Sequence, residues 1–280
     1  GSHRGGTRAR NMGSGHPLAR TATVSEAFAV GDPGAKAHFD RNGCVLVDTL
    51  DADGVELLRT WIDEVSAWPD TTGPWLHYRE MTDDGPRLCR TENFTPYHSG
   101  LAGLLASGAL LETASALLGE PAVLYKEKIN YKLAGGAGYA PHQDAPAYPF
   151  IESHVSCMVA VDDSDVTNGC LEVVSAMFAS VLPMNDVGCI VDDVDDALEW
   201  VAMPVRAGQT LWFHSRTPHR SGPNHSTRDR RALYPTYNAL SEGDLRDAYY
   251  REKLERMASS TVGSNVQVSL IGDFQGRPVS

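Results

Sequence analysis

In the stretch YAPHQDAPAY (139–148), His142 and Asp144 stand two apart, between a glycine-rich run and a run of prolines and aromatics. In an extended segment, residues i and i+2 point to the same side. An imidazole and a carboxylate at this spacing can therefore reach one metal ion while Gln143 faces away. One nitrogen and one oxygen donor suit Fe(II) when a second histidine completes a facial triad and leaves three positions open. An isolated His-x-Asp is otherwise an ordinary turn feature. The later stretch GQTLWFHSRTPHRSGPNHSTRDRRALYPTY (208–237) supplies His219 ahead of a Gly-Pro-Asn turn, and Arg230, eleven residues on, opening the next strand. The spacing predicts that this histidine and arginine face one cavity from hairpin partners. Arginine offers a carboxylate a rigid bidentate fork, so the set suits a dicarboxylate held by a metal at one end and a guanidinium at the other.

Holding such groups together requires a scaffold, and the chain reads as a β one. Residues 122–132 (AVLYKEKINYK), 154–161, 169–174, 201–205, 209–214 and 231–237 are short strands punctuated by Gly, Pro, Asn and Asp. That pattern predicts a sandwich or barrel rather than a parallel α/β sheet. Ahead of them come a helix, an Asn42-Gly43 turn and a strand at Cys44 to Val47. Asp51 can then cap a helix in which Val55, Leu58, Trp61, Ile62 and Val65 recur at helical spacing. Two strands flank Asp83-Asp84-Gly85, and 101–118 reads as helix broken near Gly108 and stopped by Gly119. A charged helix is expected at about 242–258, with Tyr250, Leu254 and Met257 as its apolar stripe. The expected organisation is a poorly ordered leader, 1–24, opening on a Gly-Ser-His that resembles a tag-cleavage remnant, and then one domain, 25–280. Within the domain, 25–120 reads as helical, 121–240 as the β core and 241–280 as a terminal helix and tail. The acidic stretch MNDVGCIVDDVDDALEW (184–200) reads as a solvated insertion or as a lid over the site. Its carboxylates lack the spacing of an EF-hand calcium loop.

His142-x-Asp144, His219-x-Ser221-Gly222-x-Asn224 and Arg230 together resemble the phytanoyl-CoA dioxygenase family, as do KINYK ahead of the metal pair and NGCLEVV at 168–174. The resemblance spans roughly 35–250. It implies a mostly β fold with flanking helices, built on a double-stranded β-helix (jelly roll, cupin-like). It further implies a non-haem dioxygenase that uses Fe(II), 2-oxoglutarate and O2, releases succinate and CO2, and hydroxylates an unactivated C–H bond. On this resemblance His142, Asp144 and His219 would be the iron ligands. Arg230 would bind the distal carboxylate of 2-oxoglutarate, helped by the Ser221 hydroxyl, with Asn130 and Lys126 also on the co-substrate side. Arg231 adjoins Arg230, and strand alternation turns it outwards, but the doublet leaves either arginine open. The related halogenases carry Ala or Gly at the carboxylate position, so Asp144 implies hydroxylation, or desaturation or ring closure by the same chemistry. The alternatives are a metal-bound cupin enzyme that does not use 2-oxoglutarate and a barrel kept as a non-catalytic binding protein.

The substrate side is read from Tyr148, Arg90, Lys128 and Tyr78, with Arg79, Arg87 and Phe150 as further candidates, each equally readable as a surface or core residue. Convergence of two or three cations would indicate an anion, a carboxylate or a phosphate, and Lys126 and Lys128 point the same way on one strand. No basic cluster suits the nucleotide diphosphate of a CoA thioester. A small polar metabolite or natural-product intermediate, anionic or polyhydroxylated, is expected. The net charge of -12 argues against nucleic acid and anionic membranes as partners. No apolar run is read as approaching the roughly 18 residues of a membrane span. Five cysteines, an odd number without CxxC spacing, read as free thiols in a reducing cytoplasm. Lys132 and Tyr131 carry no assignment, and a monomer or homodimer is expected.

Overall fold

The computed structural model describes residues 20–21, 26–70, 74–148 and 150–259. Most of the expected leader, the tail beyond 259 and the side chain of Met257 lie outside the described residues. In the leader, Arg20–Thr21 (β1) forms a short strand, where only disorder was expected.

Phe28–Ala29 (β2) precedes α1 (Pro33–Asn42), which starts where the Asp32 side chain accepts from Gly34 N at 2.7 Å. It ends at Gly43, in the left-handed region at φ 69°. A Cβ there would lie 2.5 Å from Ala176 O, so glycine is required twice over. Cys44–Asp48 (β3) follows, and then α2 (Ala52–Ser66), capped by Asp51 as expected, with Val55, Leu58, Ile62 and Val65 buried. Leu76–Thr82 (β4) and Gly85–Glu92 (β5) make the expected hairpin. The apolar stretch 99–118 is long and apolar enough to span a membrane by composition, against the sequence reading. It is nevertheless two helices, α3 (Ser99–Ala106) and α4 (Gly108–Leu118), which bury Leu101, Leu105, Leu110 and Leu117 in the core.

The β region comprises β6 (Ala122–Lys132), β7 (Tyr139–His142), β8 (His154–Ala160), β9 (Leu171–Val173), the short helix α5 (Asp192–Asp195), β10 (Val201–Met203), β11 (Gln209–His214), β12 (His219–Ser221) and β13 (Arg230–Ala239). The helix α6 (Arg246–Ser259) ends the described chain. The strands form a five-stranded sheet, β1-β10-β9-β12-β7, and an eight-stranded sheet, β2-β3-β11-β8-β13-β6-β5-β4. This is the mostly β architecture that was expected, with one correction. The N-terminal part is not merely helical: β3 pairs with β11, and β5 with β6, inside the large sheet.

Strand alternation divides the large sheet into two faces. The outer face carries Val155, Cys157, Val159, Trp212 and Leu233 against Phe39, Leu58, Ile62 and the α3–α4 leucines. The inner face carries Met158, Ala160, Leu211, Phe213 and Ala232 against Leu171 and Val173 of the small sheet. That inter-sheet core is apolar at one end only. At the other end the inward residues are polar, and they define the site. A second correction follows from the topology. His219 lies in the small sheet and Arg230 in the large one, so the two face each other across the inter-sheet space instead of sharing a hairpin.

Candidate active site

Pairing of β7 with β12 places His142 opposite His219, with ring centroids 4.2 Å apart. Asp144 follows β7 at the head of a tight turn, Ala145–Ala147, and brings its Oδ1 to 3.7 Å from His219 Nε2 and 3.9 Å from His142 Nε2. The three donor atoms lie within 4.8 Å of one another, and all three residues are buried. His142 Nδ1 donates to Ala140 O at 2.8 Å, and His219 Nδ1 donates to Thr217 O at 3.0 Å. A carbonyl can only accept, so both protons sit on Nδ1 and both Nε2 lone pairs are free to bind metal. The outer oxygen of Asp144 accepts from Ser156 Oγ at 2.7 Å. Burial and the neighbouring His219 push the His142 imidazole down to about 3, which keeps it neutral, as a ligand must be. Burial pushes the Asp144 carboxyl up, but His219, His142, Lys128 and the Ser156 hydrogen bond outweigh it and hold the group ionised. Gln143 faces away, donating to Arg216 O at 2.5 Å and accepting from Leu182 N at 2.7 Å. Two imidazoles and one carboxylate, oriented from behind, fit a ferrous ion.

The wall opposite these ligands is built by β6 and β13. Alternation puts Lys126, Lys128, Asn130 and Lys132 on the inner face of β6, and register pairs Lys132 with Arg230, Asn130 with Ala232 and Lys128 with Tyr234 on β13. Lys128, Asn130, Lys132 and Arg230 line the cavity together with the three ligands. Lys132 Nζ donates to Ser221 Oγ at 2.9 Å and to Gly169 O at 3.1 Å, and also to Gly222 O. Arg230 Nη2 donates to the same Gly169 O at 2.9 Å. Lys128 lies over the Tyr234 ring at 5.3 Å. Among the described residues, none of these three cations has a carboxylate within ion-pairing distance. Burial, with Arg90 and Lys126 nearby, pushes Lys128 down to about 7; burial and Arg230 do the same to Lys132.

Arg231, by contrast, points outwards, pairing with Asp162 at 2.9 Å and with Asp63 at 2.7 Å. Other sequence candidates fall behind the cavity wall. Arg90 Nε donates to Asn130 Oδ1 at 3.1 Å and its guanidinium lies 5.8 Å from the Tyr78 ring, so Arg90 supports Asn130 from behind and neither Arg90 nor Tyr78 lines the cavity. Lys126, expected beside the co-substrate, instead sits against Tyr148 and Tyr249, 5.1 and 5.4 Å from their ring centroids. Tyr148 does line the cavity. Phe150 is exposed, while Arg79 and Arg87 pair on the surface with Asp70 and Asp229. Ser221 serves Lys132 where help to Arg230 was expected.

The 184–200 stretch, expected as a solvated insertion or a lid, is exposed over about half of its residues but is anchored by the buried Cys189, Ile190, Asp195 and Trp200. None of its residues lines the cavity. Ile190 N donates to Pro141 O at 2.8 Å, beside His142. Arg220, beside His219, stacks on Trp200 at 4.4 Å and binds Asp195 at 3.4 Å. The stretch therefore buttresses the strands that carry the ligands. Lys132 is the functional candidate that the sequence reading passed over. Its signal was its place in the two-residue alternation that runs through Lys128, Asn130 and Lys132.

Residues 39–232 match the model of the phytanoyl-CoA dioxygenase family. The chain is similar to a methylphosphonate hydroxylase from Gimesia maris, at 46% identity over 224 residues, covering 79% of this chain and 86% of the relative. It is also similar to a 2-aminoethylphosphonate dioxygenase from an uncultured bacterium, at 40% identity over 227 residues, covering 79% and 87%. Among solved structures, the non-haem alpha-ketoglutarate-dependent epimerase SnoN of nogalamycin biosynthesis shares the fold, with a TM-score of 0.63 at 23% identity over 74% of this chain and 82% of that one.

Proposed function

We propose that this chain, which belongs to the phytanoyl-CoA dioxygenase family, hydroxylates the carbon of a small phosphonate. It is an Fe(II)- and 2-oxoglutarate-dependent dioxygenase acting on a small molecule. The observation that carries the phosphonate reading is the set of three cations, Lys128, Lys132 and Arg230, that face the ligand triad without a carboxylate partner. Ferrous iron on Asp144 leaves one positive charge, and Arg230 with Lys128 and Lys132, the two lysines drawn into their charged forms by bound anions, raise it to four. A 2-oxoglutarate dianion balances half of that, and a phosphonate dianion the other half. Uncompensated buried charge is costly, so a cavity of this sign is built for two dianions. The two relatives whose names specify phosphonates agree with that count.

In this reading His142, Asp144 and His219 hold the iron. Arg230 takes the distal carboxylate of 2-oxoglutarate, Lys132, adjacent across β13 and β6, adds its charge beside it while its N–H groups hold Ser221, Gly169 and Gly222, and Asn130 orients the co-substrate from the same wall. Lys128 takes the phosphonate and Tyr148 closes over its carbon. Bound iron with 2-oxoglutarate and O2 supplies oxidation of a C–H bond coupled to release of succinate and CO2. The chain supplies position, since Lys128 anchors the phosphonate oxygens and leaves the carbon end to face the triad. It also excludes water, since Phe213, Leu171 and Tyr148 form the apolar part of the wall. The test is succinate release with methylphosphonate, with the product followed by phosphorus NMR. One hydroxymethylphosphonate per succinate is expected. Failure of every small phosphonate to raise succinate above the substrate-free level overturns the reading.

A further inference from the structure

We infer that Lys126 restricts this enzyme to phosphonates whose carbon chain carries no amine, an inference that rests on the phosphonate reading above. Tyr148 is a wall shared by two compartments. One side lines the cavity, and the other faces Lys126 Nζ at 5.1 Å from the ring centroid. Behind it stand Tyr249 of α6, 5.4 Å from the same ammonium, and Tyr125. The three tyrosine rings pack mutually, with centroids 5.5, 5.0 and 6.2 Å apart.

Such a cluster of aromatic faces is the ordinary recognition device for an ammonium group. Here the chain's own ammonium occupies it, and Lys126 is buried. Burial works against its charge, but Tyr148, Tyr249 and Glu92 outweigh that and keep it protonated. Glu92, also buried, is already engaged: Lys253 of α6 binds its Oε2, and Arg90 lies 3.7 Å from its Oε1. An ammonium on the carbon end, under Tyr148, would therefore meet across that ring an aromatic cluster already filled by a like charge. The nearby carboxylate is committed elsewhere. A phosphonate with a plain alkyl group meets no such opposition. The compounds named for the two relatives differ in this respect and by one carbon of chain length.

The experiment compares kcat/KM for methylphosphonate and 2-aminoethylphosphonate in the wild type, Lys126→Met and Lys126→Arg. Each protein is first checked for its melting transition and for the visible charge-transfer band with Fe(II) and 2-oxoglutarate under anaerobic conditions. The wild type is expected to favour methylphosphonate at least tenfold. Lys126→Met is expected to move the ratio toward 2-aminoethylphosphonate by tenfold or more, and Lys126→Arg to leave it in place. Equal use of both substrates by the wild type overturns the inference even if Lys126→Met fails to fold. A ratio unchanged in folded Lys126→Met does the same. Turnover of neither phosphonate by the wild type is a different outcome, which removes the phosphonate reading itself.

Discussion

Replacing Arg230 with alanine is expected to raise the KM for 2-oxoglutarate by about 10- to 100-fold, or about 1.4–2.7 kcal/mol, with Fe(II) binding retained. Arg231→Ala should leave that KM alone and cost only about 1 kcal/mol of stability, because its ion pairs with Asp162 and Asp63 are partly exposed. Steady-state kinetics and melting curves separate the two. His154 supplies a second expectation at this scale. It is fully buried against Tyr148, at 5.3 Å between centroids, and among the described residues neither ring nitrogen has a hydrogen-bond partner. Burial pushes its imidazole down to about 4. In the unfolded chain it titrates near 6.5, so as pH falls the unfolded state takes up a proton that the folded state refuses. Stability is then full above about pH 6.5 and is lost progressively down to about pH 4, by about 3 kcal/mol for this group. Melting of the metal-free protein across that range should show the slope, and His154→Leu should make it shallower by this group's share, leaving the share of His142. The ligands were readable at this scale because a His-x-Asp pair is local chemistry. Lys132 was not, because its importance comes from Arg230, 98 positions away and directly across the ladder.

At the scale of elements, the long strand β6 was readable, because eleven residues of alternating character leave a clear period. Neither β7 nor β12 was, although they carry two of the ligands. At four and three residues they are too short to show a period, and pairing alone makes them strands. The N-terminal third misled for a related reason: its helices show clear stripes, which drew attention from β3 and β5 between them. A loop glycine links these elements to the site. Gly169 has φ 73°, and its carbonyl accepts from both Lys132 and Arg230. A Cβ there would stand 2.3 Å from Gly222 O and 2.7 Å from Lys132 Nζ. Gly169→Ala should therefore lower stability by about 1–3 kcal/mol and also raise the KM for 2-oxoglutarate. A change in melting temperature without a change in KM would separate the loop from the site.

On the scale of the molecule, two of the candidate metal ligands, His142 and His219, lie in the small sheet and Asp144 just beyond it, while Arg230 and Lys132 belong to the large one. A dicarboxylate held at both ends therefore joins the two sheets. Anaerobic Fe(II) with 2-oxoglutarate at a hundred times its dissociation constant should add about 2.7 kcal/mol, or about 5–10 °C in a chain of this size. Differential scanning calorimetry should register this shift. Fe(II) alone should give less, and the 2-oxoglutarate increment should vanish in Arg230→Ala. The charge balance has a molecular logic as well. A chain of net charge -12 keeps its uncompensated cations inside the site, so its solubility and its taste for anions do not compete.

The place of α6 bears on how the protein is made. Every residue assigned to iron or 2-oxoglutarate precedes Arg246, whereas Tyr249 and Lys253, which complete the tyrosine cluster and engage Glu92, come from this last described helix. During synthesis the oxidising centre is thus encoded before the compartment that restrains it. A chain clipped ahead of α6 would keep every residue assigned to iron and 2-oxoglutarate, and Tyr148 itself, but would lose the side chains that brace Tyr148 and Glu92 from behind. The last described helix is a brace supplied after the centre it steadies.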